Sequence, residues 1–205
     1  MITGTIAAVV LAAGRGTRFG GDVAKPCVEV RGRPMVSWVL DAAVASGLGP
    51  VVLVVGHEAD VVAACAGPGV EVVVNHDHES GIASSLHAAL AWLAARGIVH
   101  AAVVGLADQP GIGAEAWARV GAAYEHGASL AAATYSGVRA NPVLIGRDLW
   151  PEALALRGDE GARQLMRSFP VTEVDCTDAG DPHDIDTVGD LREVGADLSP
   201  PTSST

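Results

Sequence analysis

Four short apolar runs, at residues 6–11, 51–55, 70–74 and 101–106, recur along the chain, each compact and rich in Val, Leu or Ala. Runs of that length, bounded by Gly, Pro or Asp rather than alternating with polar residues, predict strands covered on both faces, as in a parallel sheet. Between them the period lengthens. Pro34 suits a first helical residue, Val36, Val39, Leu40, Ala43 and Val44 recur at helical spacing up to Ser46, and Gly47 supplies a stop. Residues 84–96 read likewise, with Leu86, Leu90 and Leu93 on one face and Gly97 at the end. Strand alternating with helix predicts an α/β fold with a mostly parallel sheet and helices on both sides.

Beyond residue 130 the pattern loosens. Strands are expected at 130–134, 143–145 and 172–174, and helical segments at 149–156, 161–168 and 187–193. No internal repeat or linker divides the body, so residues 1–194 read as one domain and residues 195–205 (GADLSPPTSST) as a disordered tail.

In open sheets of this kind ligands bind beyond the carboxyl ends of the strands. Those positions hold a glycine-rich loop with Gly14, Gly16, Gly20 and Gly21 after the first strand, His57 and Glu58 after the second, residues 75–81 after the third, and Asp108-Gln109-Pro110 after the fourth. The first loop closes on Lys25, the one lysine among thirteen cationic side chains. Glycines let backbone N–H groups approach a polyphosphate closely, while Arg15, Arg18 and Lys25 offer positive charge. Retention of a lysine in so arginine-rich a chain points to a site that needs a compact ammonium.

Charge sharpens this picture. The chain is −11 at neutral pH, yet residues 1–33 carry five basic and two acidic side chains, +3 in sum, leaving −14 for the remainder. That disfavours nonspecific binding to nucleic acid and leaves a local anion site on a repulsive body. Hydrophobic residues make up 49% of the chain, but no run approaches the roughly 20 residues of a membrane span. Cys27, Cys65 and Cys176 are widely spaced, without a CxxC pair, and no secretory signal opens the chain, so a reducing cytoplasm is the expected location.

Neither the GxxxxGK-Ser/Thr loop nor GxGxxG opening a helix is present. LAAGRGTRFGG with Lys25 instead resembles the signature loop of MobA-like nucleotidyltransferases, which join a nucleoside triphosphate to a phosphorylated acceptor. Four further stretches follow in that family's order: NHDHESGIASSLHAAL, GLADQP, LRGDEGARQLM and DIDTVGDL. The combination is most similar to the molybdenum cofactor cytidylyltransferases. Two departures concern the acceptor: KPCVEV replaces a leucine-rich segment after the lysine, and Asn141-Pro142 stands where Gly-His-Pro is usual. The Lys-Pro pair is reminiscent of sugar-1-phosphate nucleotidyltransferases.

The resemblance implies a single-domain Rossmann-like three-layer fold of the nucleotide-diphospho-sugar transferase type. It implies Mg²⁺-dependent transfer of CMP from CTP to molybdopterin, with release of pyrophosphate and contact with molybdoenzyme maturation proteins. The alternatives are a sugar phosphate or other phosphorylated acceptor, use of GTP, or a noncatalytic nucleotide sensor. Lys25 would stabilise charge at the α-phosphate, and Arg18 with the N–H groups of Gly14, Arg15 and Gly16 would hold the outer phosphates. Leu11, Ala12 and Ala13 would line the base, with Asn75, Gly81, Ser84 and Ser85 near ribose and base edge, the alternative for Ser84 and Ser85 being to cap their helix. Asp108 would bind the metal together with Asp186, Asp184 being the alternative; helix capping by Asp186 or Thr187 explains one of these acids without a metal. Asp159 and Arg163 would serve the acceptor or pair with each other. His57, His76, His78 and His87 lack zinc-ligand spacing, and no zinc site is expected.

Overall fold

Seven strands form one sheet in the order β5-β4-β1-β6-β8-β7-β9, and only β8 runs against the others. The structure is a computed structural model and describes residues 5–14, 24–187 and 189–191. In chain order, β1 (Thr5–Ala12) leads to a small ribbon of β2 (Glu29–Val30) and β3 (Arg33–Pro34), then α1 (Met35–Ala45) and β4 (Val51–Val55). Next come α2 (Ala59–Ala63), β5 (Val70–Val74), α3 (Ile82–Ala94) and β6 (Val99–Leu106). The second half holds α4 (Ala114–Glu125), β7 (Leu130–Tyr135), β8 (Val138–Gly146), α5 (Trp150–Ala155), α6 (Ala162–Ser168) and β9 (Thr172–Asp175).

The pleat of β1 shows why its sequence has no polar alternation. Ile6, Ala8, Val10 and Ala12 enter the core shared with α1 and α4, whereas Ala7, Val9 and Leu11 enter the core shared with α3 and α5. Both faces are thus covered, and a one-residue slip of register would exchange one apolar set for another. Small residues on β1 and β6 let helices approach closely: a Cβ added at Gly105 would lie 2.6 Å from the Trp117 ring of α4. A third cluster, Val30, Met35, Trp38 and Ile185, anchors the ribbon and the late segment 181–187 to the carboxyl edge of the sheet.

Observed bounds depart from expectation where one residue decides. The strand expected at 143–145 extends over Val138–Gly146, because its Asn141-Pro142 step is accommodated as a bulge rather than a turn. The helix expected from Ser84 starts at Ile82, with Gly81 preceding it. Helix α4 is not anticipated by the apolar spacing. Residues 15–23, which include Arg15, Gly16 and Arg18, lie outside the described residues, as do Val188 and residues 192–205.

Candidate active site

Lys25 is placed by its neighbours in sequence. It opens a 3-10 turn, Lys25–Cys27, in which Pro26 is buried and Cys27 N–H donates to the Ala24 carbonyl at 2.8 Å. Asp108 stands two residues beyond β6, where Ala107 N–H still donates to Leu11 of β1. The DIDT segment is hung beside it: Ile185 is fully buried, its N–H donates to the Asp108 carbonyl at 2.9 Å, and Asp181 N–H donates to Gly111 at 3.0 Å.

These tethers bring three distant side chains together. The Lys25 ammonium donates to Asp108 Oδ2 at 2.7 Å and to Asp186 Oδ1 at 2.6 Å. Burial by itself pulls this ammonium down, but the two carboxylates outweigh it and hold Lys25 above its ordinary value of 10.5. The other oxygen of Asp108, Oδ1, is buried and meets no hydrogen-bond donor among the described residues. Such a lone pair is costly unless something charged or polar takes it up.

The Thr187 form of the capping alternative is seen beside Asp186. Asp190 Oδ2 accepts from the N–H groups of Asp186 and Thr187, at 2.9 and 2.7 Å, while Asp190 N–H donates to Thr187 Oγ1 at 3.2 Å. Thr187 and Asp190 form a reciprocal cap, and the Asp186 carboxylate turns to Lys25 instead. Asp184 borders the neighbouring cavity; burial, then the Asp108 and Asp186 charges, raises its carboxyl above the ordinary carboxylate range.

A cleft of about 390 Å³ opens on this cluster, lined by Leu11, Ala12, Ala13, Gly14, Lys25, Gly81, Ser85 and Asp108. A Cβ at Gly14 would meet nothing within 4 Å among the described residues. Gly81 has a different reason for being glycine. Its φ is +104°, and a Cβ there would lie 2.2 Å from the Gly158 carbonyl carbon. That contact, with Ala83 N–H donating to Gly158 at 3.0 Å, seats the GDEG loop on the start of α3 and brings Asp159 to the cleft.

Asn75 and Ser84 lie behind the wall. Asn75 Nδ2 donates to Ser84 Oγ at 2.8 Å and Ser85 Oγ at 3.1 Å, and Ser84 in turn donates to the Gly81 carbonyl at 2.8 Å. All three side chains are buried, and this network braces the segment carrying Gly81 and Ser85. Pro26, Met35, His78 and Glu79 also line the cleft, although the sequence reading did not place them there. His78 and Glu79 belong to the NHDHESGIASSLHAAL stretch, whose resemblance to the family's base and ribose segment is the signal for them.

A second cavity of about 700 Å³ adjoins the first across Leu11, Ile82, Leu106 and Asp159, with Gln109, Asn141, Arg163 and Asp184 among its lining. Among the described residues no group of three or more His, Cys, Asp or Glu side chains could hold a metal ion. The Asp108–Asp186 pair nevertheless fits a hard cation of the kind that takes one or two carboxylates and completes its shell with phosphate oxygens and water, and Asp108 Oδ1 is the unmet donor atom. No helix among the described residues is long and apolar enough to cross a membrane.

The MobA-like NTP transferase domain model matches residues 8–174, from the second half of β1 to the middle of β9. The chain belongs to the MobA-like NTP transferase family. It is 35% identical to nicotine blue oxidoreductase of Paenarthrobacter nicotinovorans over 196 residues, covering 89% of this chain and 93% of that one. Rv0371c of Mycobacterium tuberculosis H37Rv superimposes with a TM-score of 0.82 at 31% identity, over 96% of this chain and all of that one. A manganese complex of Rv0371c superimposes at 0.77. Molybdopterin-guanine dinucleotide biosynthesis protein A of Archaeoglobus fulgidus shares the fold, with a TM-score of 0.69 at 17% identity over 93% of this chain and 97% of that one. Fold and family therefore agree with the motif order: a nucleotidyltransferase-type α/β protein whose carboxyl-edge cleft holds Lys25 and its carboxylates.

Proposed function

We propose that the protein transfers CMP from CTP to the molybdopterin cofactor, releasing pyrophosphate, in an Mg²⁺-dependent reaction. The observation that carries this reading is the convergence of Lys25, Asp108 and Asp186 at the mouth of a cleft walled by Ala12, Ala13 and Gly14. In nucleotidyl transfer the acceptor phosphate attacks the α-phosphorus and pyrophosphate leaves, so the protein's task is in-line placement and charge stabilisation. The Lys25 ammonium stabilises the charge that accumulates at the α-phosphate. Asp108 and Asp186 would hold the metal, which when bound neutralises phosphate oxygens. Ala12 and Ala13 leave room for a base, Gly81 and Ser85 border the sugar, and Arg15, Gly16 and Arg18 would embrace the outer phosphates. The second cavity receives the acceptor, with Asp159 and Arg163 on its wall. Contact with maturation proteins of molybdoenzymes, in the cytoplasm, would follow from that product.

A second reading is favoured by the kinship with nicotine blue oxidoreductase: the cleft would hold a reduced nucleotide cofactor and the larger cavity a conjugated dye-like oxidant. Pyrophosphate release from each of the four NTPs, with molybdopterin and then with sugar phosphates, separates the possibilities. CTP-dependent release with molybdopterin is expected. Release with GTP but not CTP sinks the cytidylyl assignment, release with sugar phosphates alone moves the acceptor, and oxidation of NADH or NADPH by a heterocyclic dye without any release favours the redox reading. Tight NTP binding with neither activity identifies a sensor.

A further inference from the structure

We propose that Cys27 and Cys65 are a modification site: hydrogen peroxide joins them in a reversible disulfide, which draws the Lys25 turn off its two carboxylates. The crosslink and the movement of Lys25 stand apart from the transfer reading; only the consequence for nucleotide binding rests on it.

The fold brings together two thiols that are 38 residues apart in sequence. Cys27 ends the 3-10 turn that Lys25 opens, and Cys65 lies two residues beyond α2. Their sulfurs are 3.7 Å from each other, and each is 3.8 Å from the Val61 carbonyl oxygen. Both side chains are half-buried against the core shared with α1 and α4, whereas Cys176 is fully buried within it. A disulfide places its sulfurs about 2.05 Å apart, so closure requires a relative shift of about 1.6 Å.

The two sulfurs differ in access and in protonation. A cavity of about 350 Å³ beside α1 is lined by Cys65, and Cys27 is not part of its wall. Burial, and then its bond with Cys65, raises the Cys27 thiol above its ordinary value of 9.0, so Cys27 keeps its proton at neutral pH. Cys65 is therefore the sulfur that meets the oxidant. As its thiolate it attacks one peroxide oxygen, the O–O bond breaks, and the departing hydroxide is protonated to water. The Cys27 sulfur then attacks the sulfur of the Cys65 sulfenic acid. The S–O bond breaks, and the departing hydroxide leaves with the Cys27 proton as a second water. Two thiols lose two electrons, and one peroxide is reduced to two waters.

Strand order gives the crosslink a direction. Helix α2 follows β4, which flanks β1 on the side opposite β6, and Asp108 stands just beyond the end of β6. Closing the gap between Cys27 and Cys65 thus draws the turn toward the β4 side. The Lys25 ammonium is bound to Asp108 and Asp186 at 2.7 and 2.6 Å, and a displacement of the size needed for closure, taken up by the turn, opens both contacts.

The test uses the full chain, in which Lys25 is the one lysine, so acetylation by acetic anhydride can be followed at that ammonium on a single peptide by mass spectrometry. Peroxide should lower the thiol count from three to one, with Cys27 linked to Cys65 in the peptide map. Lys25 should then acetylate at least about tenfold faster, the change expected when a charge-assisted pair is opened. Dithiothreitol should restore both values. Cys27→Ser and Cys65→Ser, with circular dichroism matching the parent, should form no crosslink, and peroxide should leave their Lys25 acetylation unchanged. Three thiols remaining after peroxide, loss of thiols without a Cys27–Cys65 link, a linkage through Cys176, a crosslinked protein that acetylates no faster, or the same acceleration in Cys65→Ser overturns the proposal. On the transfer reading the crosslinked protein should also bind CTP with Mg²⁺ more weakly than the reduced one. Undiminished CTP binding together with faster acetylation overturns the part that reading gives Lys25 and leaves the crosslink standing.

Discussion

Lys25 is more than a phosphate ligand in waiting, because two carboxylates already claim its ammonium at 2.7 and 2.6 Å. Replacing it with Met removes the ammonium that bridges Asp108 and Asp186. Loss of a preorganised charge at the reacting phosphate is expected to lower turnover by about a hundredfold to a thousandfold. Single-turnover transfer, with circular dichroism to verify folding, measures it; retained turnover would remove Lys25 from the chemistry. The pH dependence follows from the raised Lys25 value. A lysine whose folded value exceeds its unfolded one contributes stability in full below the unfolded value and loses it only as pH climbs through the folded value. The window lies above 10.5, so kcat/KM should show no alkaline fall due to Lys25 below that pH. An alkaline limb in the free enzyme between pH 8 and 9 that vanishes in Lys25→Met would contradict the geometry.

Asp108, Lys25 and the DIDT acids could be read from their residue types and strand-end positions, but their pairing could not. Lys25 and Asp186 are 161 residues apart, and that the ammonium meets Asp186 is set by the fold, not by the spacing. Asn75 and Ser84 show a second limit: their residue types do not reveal that they form a buried brace behind the cleft. Sequence carries residue chemistry but not the direction in which a hydroxyl or amide points.

At the scale of elements, legibility tracks how sharply an apolar run is bounded. β4 and β5 occupy the residues expected, 51–55 and 70–74, because each is a Val-rich run with sharp borders; β4 is buried on both faces as expected, but β5 is not, because it lies at the edge of the sheet with Val72 and Val74 exposed. Helix α4 escapes because its buried stripe has only two large apolar residues, Trp117 and Val120, among the small Ala116, Gly121 and Ala123. That glycine interrupts the pattern for a packing reason: a Cβ there would lie 2.7 Å from Leu48 Cδ2. The start of α3 is a sharper case of the same logic, since Gly81 both adopts positive φ and abuts Gly158. Gly81→Ala is expected to destabilise the fold by about 2 kcal/mol or more, through strain and displacement of the GDEG loop. Urea unfolding provides the measurement, and a variant within 0.5 kcal/mol of the parent, roughly the range of neutral surface changes, would show that the contact yields easily. Gly14→Ala meets no such obstacle; its effect should appear in nucleotide affinity and not in the unfolding midpoint.

For the whole molecule, the decisive arrangement is that the carboxyl edge of the sheet gathers segments from the beginning, middle and end of the chain onto one ion cluster. In the protein alone Lys25 neutralises part of the Asp108–Asp186 charge, so a divalent cation must compete with an ammonium already seated there. On the proposed reading, a bound triphosphate would change that competition by giving Lys25 a second anion and the metal additional oxygen ligands. Metal and nucleotide should therefore bind with positive coupling, each improving the other's affinity by the same factor. Thermal unfolding reads this directly, because a ligand at a hundred times its Kd adds about 2.7 kcal/mol. For a chain of this size that corresponds to a rise in Tm of roughly 5 to 10 °C. CTP with Mg²⁺ is expected to give such a rise, whereas Mg²⁺ alone at millimolar concentration should give almost none. In Lys25→Met the order changes: with the ammonium gone, Mg²⁺ or Mn²⁺ alone should stabilise the protein measurably, and the added effect of CTP should shrink. Equal stabilisation of parent and variant by the metal alone would mean that Lys25 does not occupy the cation's place, and the carboxylate pair would then have to be read as a structural anchor for the Lys25 turn.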